Sequence, residues 1–278
     1  MAALSLALAW VWYWLLRRKV LNRIAPAALD RPPLPVRWVL LYGYACLAAL
    51  SHLLLDYTTS YGIRLFEPFS FKWYSWDIVY MADPFMWIML GLGLAVPGLL
   101  GLVYHRTRSY GFKYGARGGA IFALLAIVLM WGFRDYQHHQ ALAELNMDLS
   151  DGRRPVRFSA YPYPWNPFVW HGVVETSGSF ETVEVNTLEG VGSADRSRVY
   201  YKPKETAVTT AAKQSYLGRV YLDWARYPMI ETTVEHNSKA TYRVWFYDLR
   251  SIHRLYGSVD LDVNLGVVVQ RFGRQGRN

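Results

Sequence analysis

The sequence predicts an α-helical membrane bundle of about four transmembrane helices, followed by a β-rich α+β domain outside the cytoplasm. Three observations carry this expectation. Apolar residues crowd into the first 133 positions of the 278-residue chain. The basic residues of that part fall in alternate connecting loops. From residue 134 onward the composition becomes that of an ordinary globular domain, with alternating apolar and polar positions.

Four apolar stretches approach the roughly 20 residues that a bilayer core requires. They run over Ala2–Leu16, Trp38–Leu55, Pro84–Tyr104 and Gly118–Phe133. The first competes with a signal peptide, but signal peptides carry their positive charge before the apolar core. Here Met1 meets the apolar run directly, and Arg17, Arg18 and Lys19 follow it. That order fits a helix entering with its N-terminus outside, or a chain whose true start lies further upstream.

Charge sets the expected orientation. The net charge of +9 divides unevenly: residues 1–133 hold 12 Lys/Arg against 5 Asp/Glu, and residues 134–278 hold 18 against 16. The basic excess therefore belongs to the membrane half, and nucleic-acid binding is not supported. The first loop carries Arg17, Arg18, Lys19, Arg23, Arg31 and Arg37, and the third carries Arg106, Arg108, Lys113 and Arg117. The second has Arg64 and Lys72, offset by Asp56, Glu67, Asp77 and Asp83. Short loops rich in Lys/Arg stay cytoplasmic. Loops one and three are expected inside, with loop two and everything after Phe133 outside. This makes residues 1–133 a transmembrane domain with its candidate site in loop 56–83, and residues 134–278 a soluble β-rich domain. Cys46 is the single cysteine, so it forms no internal disulfide and leaves the redox compartment undetermined.

The candidate site begins with His52 and Asp56, four residues apart and therefore one turn apart on one helix face. An imidazole nitrogen and a carboxylate oxygen so placed can bind one divalent cation, zinc among the candidates. The plainer reading is an interfacial polar pair, although a carboxylate at a helix C-terminus opposes the dipole by about 0.3–1 kcal/mol. Asp77 and Asp83 are the candidate catalytic carboxylates, as third ligand or general base. Asp83 before Pro84 also reads as a helix N-cap and first-turn pair. Trp73, Tyr74 and Trp76 read as an interfacial aromatic belt rather than a ligand cage. Gly62 marks a turn requiring positive φ, and Pro97 a kink.

The words of loop two carry more than their spacing. His52-Leu-Leu-Leu-Asp56, Thr59-Ser-Tyr-Gly62, Pro68-Phe-Ser70, Asp77 and Asp83-Pro84 resemble the YdjM-like family of inner-membrane, metal-dependent hydrolase-like proteins. Asn166-Pro-Phe-Val-Trp170 and Asp248-Leu-Arg250 resemble later words of the same family. The resemblance implies a membrane-embedded hydrolase with a divalent metal ion. It also implies an acidic motif and a His-Arg-Gly…Thr-His-Ser segment upstream of Ala2–Leu16, with further ligands. Nothing in the sequence corresponds to that segment, so the expectation is either a start placed too late or a member lacking part of its site. Of the other histidines, His105 falls on the expected cytoplasmic side, while His138, His139, His171, His236 and His253 remain open. The family is also labelled as associating with the LexA repressor; a cytoplasmic partner could reach only loops one and three.

In the second half, residues 134–154 read as a polar helix leaving the membrane, with Leu142, Leu145 and Leu149 at helical spacing. Strands are predicted at Phe168–Glu175, Phe180–Thr187, Ser197–Tyr201, Met229–His236, Thr241–Asp248 and Val259–Val269, the last interrupted at Asn264–Gly266. A short helix is expected near Glu205–Asp223. The aromatic-proline segment Tyr161–His171 has three readings: part of the β core, a rest for lipid headgroups, or a lid over loop two. No nucleophile elbow, phosphate-binding glycine loop or zinc-finger spacing occurs.

Two functions follow. The first is a metal-dependent hydrolase-like protein at the outer face of the cytoplasmic membrane, with membrane lipid as a partner and a lipid or cell-envelope substrate. The second is a non-catalytic, membrane-anchored binding or scaffold module. A transporter is a distant third, because no charge lies in mid-span.

Overall fold

The fold is that of a computed structural model, which describes residues 10, 37–104, 112–148, 155–191, 197–237, 239–250, 256–262 and 267–273. The expected Ala2–Leu16 span and His105 and His253 lie outside those residues, except for the helical Trp10. The chain divides into two compact units, Met1–Ser75 and Trp76–Asn278.

The first unit is built on α1 (Trp38–Thr58). Its 21 residues are long and apolar enough to cross a membrane. The end of α1 is closed by its own threonines: Thr58 Oγ1 donates to Leu55 O at 2.7 Å, and Thr59 Oγ1 to Asp56 O at 2.8 Å. Terminal carbonyls left without helical partners are satisfied in this way. Gly62 then takes φ +81°, and a Cβ there would sit 3.0 Å from Tyr74 O, so both conformation and space require glycine. Ile63 and Tyr74 pair as an antiparallel bridge that closes the loop between them.

The first regular elements of the second unit are the helices α2 (Pro84–Tyr104) and α3 (Phe112–Asp148). They approach through small residues. A Cβ on Gly119 would meet Gly93 O and Pro97 Cγ at 2.4 Å each, so the backbones touch where side chains are absent. Within α3, Arg117–Met147 is long and apolar enough to cross a membrane, and α2 carries no charged residue. Two helices among the described residues thus meet the length and composition of a span, α1 and α3.

The 37 residues of α3 continue past position 133 into a segment packed on protein. There Ala141 and Leu145 enter a core with Ala160, Trp170, Val174, Val183 and Val185. These belong to a five-stranded antiparallel sheet of β1 (Arg157–Pro162), β2 (Val169–Glu175), β3 (Ser179–Asn186), β4 (Gly190–Val191) and β5 (Arg198–Tyr201). Its order is β1-β2-β3-β4, with β5 also paired to β3. The strand period of two sends Trp170, Gly172 and Val174 toward α3 and Val173 to the opposite face. Gly172 leaves room for Leu145, whose Cδ2 would lie 2.9 Å from an added Cβ.

The opposite face packs on a second antiparallel sheet, β6 (Pro228–Asn237), β7 (Lys239–Asp248), β8 (Tyr256–Asp262) and β9 (Val267–Gly273), in sequential order. Val173, Tyr161 and Phe180 meet Tyr227, Met229, Tyr247 and Leu249 there. On the far side of β6 and β7, Ile230, Val244 and Phe246 are covered by α4 (Ala207–Gln214) and α5 (Tyr216–Trp224). The helix expected near residues 205–223 is therefore two helices. Ser215 ends the first and caps the second by accepting from Gly218 N. The result is a layered β-rich region, with the end of α3 on one side and α4 and α5 on the other.

Candidate functional site

The four expected site residues fall into two groups, His52 and Asp56 in the first unit and Asp77 and Asp83 in the second. His52 Nε2 and Asp56 Oδ2 are 3.4 Å apart near the end of α1, with side chains 64% and 45% exposed. Two donors bound to one tetrahedral ion at about 2.0–2.2 Å are themselves about 3.3–3.5 Å apart. The pair therefore fits two corners of such a site. It equally serves as a histidine–aspartate ion pair when the imidazole is protonated. A catalytic zinc site uses three protein ligands. Among the described residues, no group of three or more His, Cys, Asp or Glu is placed to hold one metal ion.

Asp77 and Asp83 are engaged by arginines. Asp77 sits at φ 62°, in the left-handed region that aspartate tolerates better than most residues. Its buried carboxylate accepts from Arg226 Nη1 at 2.7 Å. Burial works against the Arg226 charge, and the neighbouring Asp77 carboxylate and Tyr161 hydroxyl prevail, raising the guanidinium above its ordinary value. Burial, reinforced by Asp77, holds the Tyr161 phenol well above its own. One residue earlier, Trp76 Nε1 donates to Asp135 Oδ1 of α3 at 2.7 Å. Residues 76–77 are thus tied both to α3 and to Arg226, two residues before β6.

Asp83 does two things at once. Its Oδ1 accepts from Phe85 N and Met86 N at 3.0 and 3.3 Å, capping α2. Its Oδ2 lies 2.8 Å from Arg134 Nη2, and both side chains are all but excluded from solvent. Arg134 Nη1 also reaches Tyr163 O at 3.3 Å.

Asp248-Leu-Arg250 forms a structural clamp. Asp248 accepts from Arg226 N, Arg250 N and Arg250 Nε at 2.7, 2.9 and 2.8 Å. The Arg250 guanidinium stacks over Trp224 at 4.3 Å and donates to Trp224 O. This holds the connection from α5 to β6, and with it Arg226. Of the aromatic-proline segment, Tyr161 and Trp170 are core residues, whereas Trp165 is exposed. His171 Nε2–H donates to Leu249 O at 2.9 Å, because a carbonyl only accepts. Burial lowers the His171 pKa despite that bond. Arg134 and Arg226, the partners of Asp83 and Asp77, are not among the candidates the sequence offers. Arg134 carries one signal, a lone basic residue directly after an apolar run on the side expected to be poor in charge.

Among the described residues, two helices long and apolar enough to cross a membrane accompany a separate antiparallel β-rich region. A family model described as YdjM inner membrane protein matches residues 1–141, and the chain belongs to that family of inner membrane proteins. No curated protein and no solved structure matches the chain.

Proposed function

We propose that this family member is a multi-pass inner-membrane protein with about four crossings, acting at the outer face as a metal-dependent hydrolase on a lipid or cell-envelope substrate. The observation that carries the reading is the His52–Asp56 pair, whose 3.4 Å donor separation suits one cation. It stands near the end of an apolar helix inside the family-matched segment. The orientation is supported by the basic residues, ten of the 12 in residues 1–133 lying in loops one and three. A divalent ion held there would lower the pKa of a bound water and polarise the scissile group. His52 would hold it through a ring nitrogen and Asp56 through a carboxylate oxygen. Asp77 and Asp83 serve as third ligand or general base only when released from their arginines. While paired they position the turn before α2.

The test is the metal content of the purified full chain, wild type against His52→Ala and Asp56→Ala. Bound divalent metal in the wild type and its loss in both variants is the expected result. Equal and negligible metal in all three sinks the reading. The two aspartate–arginine pairs favour a second reading, a membrane-anchored binding or scaffold module whose buried polar groups are structural. Full cellular function in a His52→Ala/Asp56→Ala double variant supports that alternative.

A further inference from the structure

The loop beyond α1 carries large apolar side chains that stay half or more exposed. Ile63 N and Tyr74 N exchange bonds with the opposite carbonyls at 2.8 and 2.9 Å, fixing the base of the loop. At its tip, Phe69 N and Ser70 N both donate to Phe66 O. This ordered turn presents Leu65 at 50%, Phe66 at 52%, Phe71 at 59% and Phe69 at 94% exposure. Such a contiguous apolar cluster marks a membrane or protein contact.

The charges around the tip decide between the two. Arg64 and Lys72 flank it, and both lie over aromatic rings of the loop. The Arg64 guanidinium is 4.9 Å from the Trp73 ring centre and 5.6 Å from that of Phe71, while Lys72 Nζ is 5.5 Å from that of Tyr74. Aromatics with polar edges settle at the headgroup level, and basic side chains bury their stems while holding the charge in water. The apolar tip, the basic and aromatic collar, and continuity with a helix long enough to cross a membrane form one graded surface. Glu67 is the single acid between residues 64 and 72, and it limits entry to headgroup depth.

We infer that loop 64–72 is a lipid anchor. Phe66, Phe69 and Phe71 enter the headgroup–acyl boundary of the leaflet that α1 leaves, and Arg64 and Lys72 meet lipid phosphates. The inference rests on the reading that α1 crosses the bilayer; it is independent of metal binding and catalysis.

The full chain, reconstituted in phosphatidylethanolamine–phosphatidylglycerol bilayers and spin-labelled at single cysteines, tests it. Native Cys46 lies within α1 and reports on the span itself. Phe69→Cys and Leu65→Cys, each in a Cys46→Ala background, report on the loop at two of its exposed positions. The expected result is a label at either loop position that collides severalfold more often with oxygen than with a water-soluble nickel chelate, at a depth shallower than Cys46. A deep Cys46 label with water-like loop labels overturns the anchor and leaves the span standing. Loop labels shielded from both reagents point to a protein contact and also overturn it. A water-like Cys46 label removes the span, and the anchor with it.

Discussion

Asp83 and Arg134 form an ion pair at 2.8 Å between the start of α2 and the middle of α3, with side-chain exposures of 0% and 1%. Removing one partner of a buried pair leaves the other charge uncompensated, at a cost of about 3–5 kcal/mol. Arg134→Met is therefore expected to lower the unfolding midpoint of the detergent-solubilised chain sharply. Asp83→Asn retains a capping acceptor while removing the charge. Combined with Arg134→Met, it is expected to recover part of the loss. A double variant as unstable as the sum of the two single variants would count against coupling between them.

Asp77 poses a different problem, because its backbone is in the left-handed region while its carboxylate holds Arg226. Asp77→Ala loses the pair and places a Cβ-bearing residue with no compensating polar group at φ 62°. Asp77→Asn keeps a short side chain suited to that conformation and an acceptor for Arg226. Asparagine is thus expected to cost less than alanine, and a double-variant cycle with Arg226→Gln is expected to give a coupling of about 0.5–3 kcal/mol. Denaturant unfolding followed by near-UV circular dichroism reads both quantities. Equal losses for asparagine and alanine remove the argument from backbone conformation.

The local features were legible in sequence because local chemistry produces them. Asp83-Pro84 marks the start of α2, Gly62 a positive-φ turn, and β-rich runs mark β2, β3, β5, β6, β7 and parts of β8 and β9, though not the two-residue β4. Strand β1 escaped notice because it is an edge strand ending at Pro162, where proline's missing donor is tolerated and the pattern is broken. The continuity of α3 was obscured by a change of surroundings: the same helix passes from an apolar stretch to a packed polar one at Arg134, so composition changes while the hydrogen bonding does not. The pairing of Asp77 with Arg226 joins residues 149 positions apart and has no periodic trace. For that reason Asp77 and Asp83 could be named as chemical candidates while their arginines could not.

The protonation of His171 links the sheet to pH. Its Nε2–H donates to Leu249 O, and burial lowers its pKa below the ordinary value. As pH falls through about 6.5, the unfolded chain takes up a proton that folded His171 resists, so stability falls with acid. Above that range both states are neutral there and the group contributes no slope. His171→Gln, which keeps an amide donor for the Leu249 carbonyl, is expected to flatten the decline between about pH 7.5 and 5.5. Thermal unfolding of the full chain in detergent at several pH values measures it. An unchanged slope in the variant assigns the acid sensitivity to another group.

The contact between α2 and α3 gives the sharpest contrast within a dipeptide. A Cβ on Gly119 would lie 2.4 Å from the backbone Gly93 O and from Pro97 Cγ, neither of which can swing aside, whereas one on Gly118 meets nothing within 4 Å. Gly119→Ala must push the helices apart or bend one of them, and overpacking of this kind costs about 1–3 kcal/mol. Gly118→Ala adds a better helix former in open space and is expected to be neutral or slightly stabilising. Unfolding midpoints of the two variants in the same detergent separate the cases. Equal midpoints for the two variants would mean that the close approach of Gly93 and Gly119 does not hold α2 against α3.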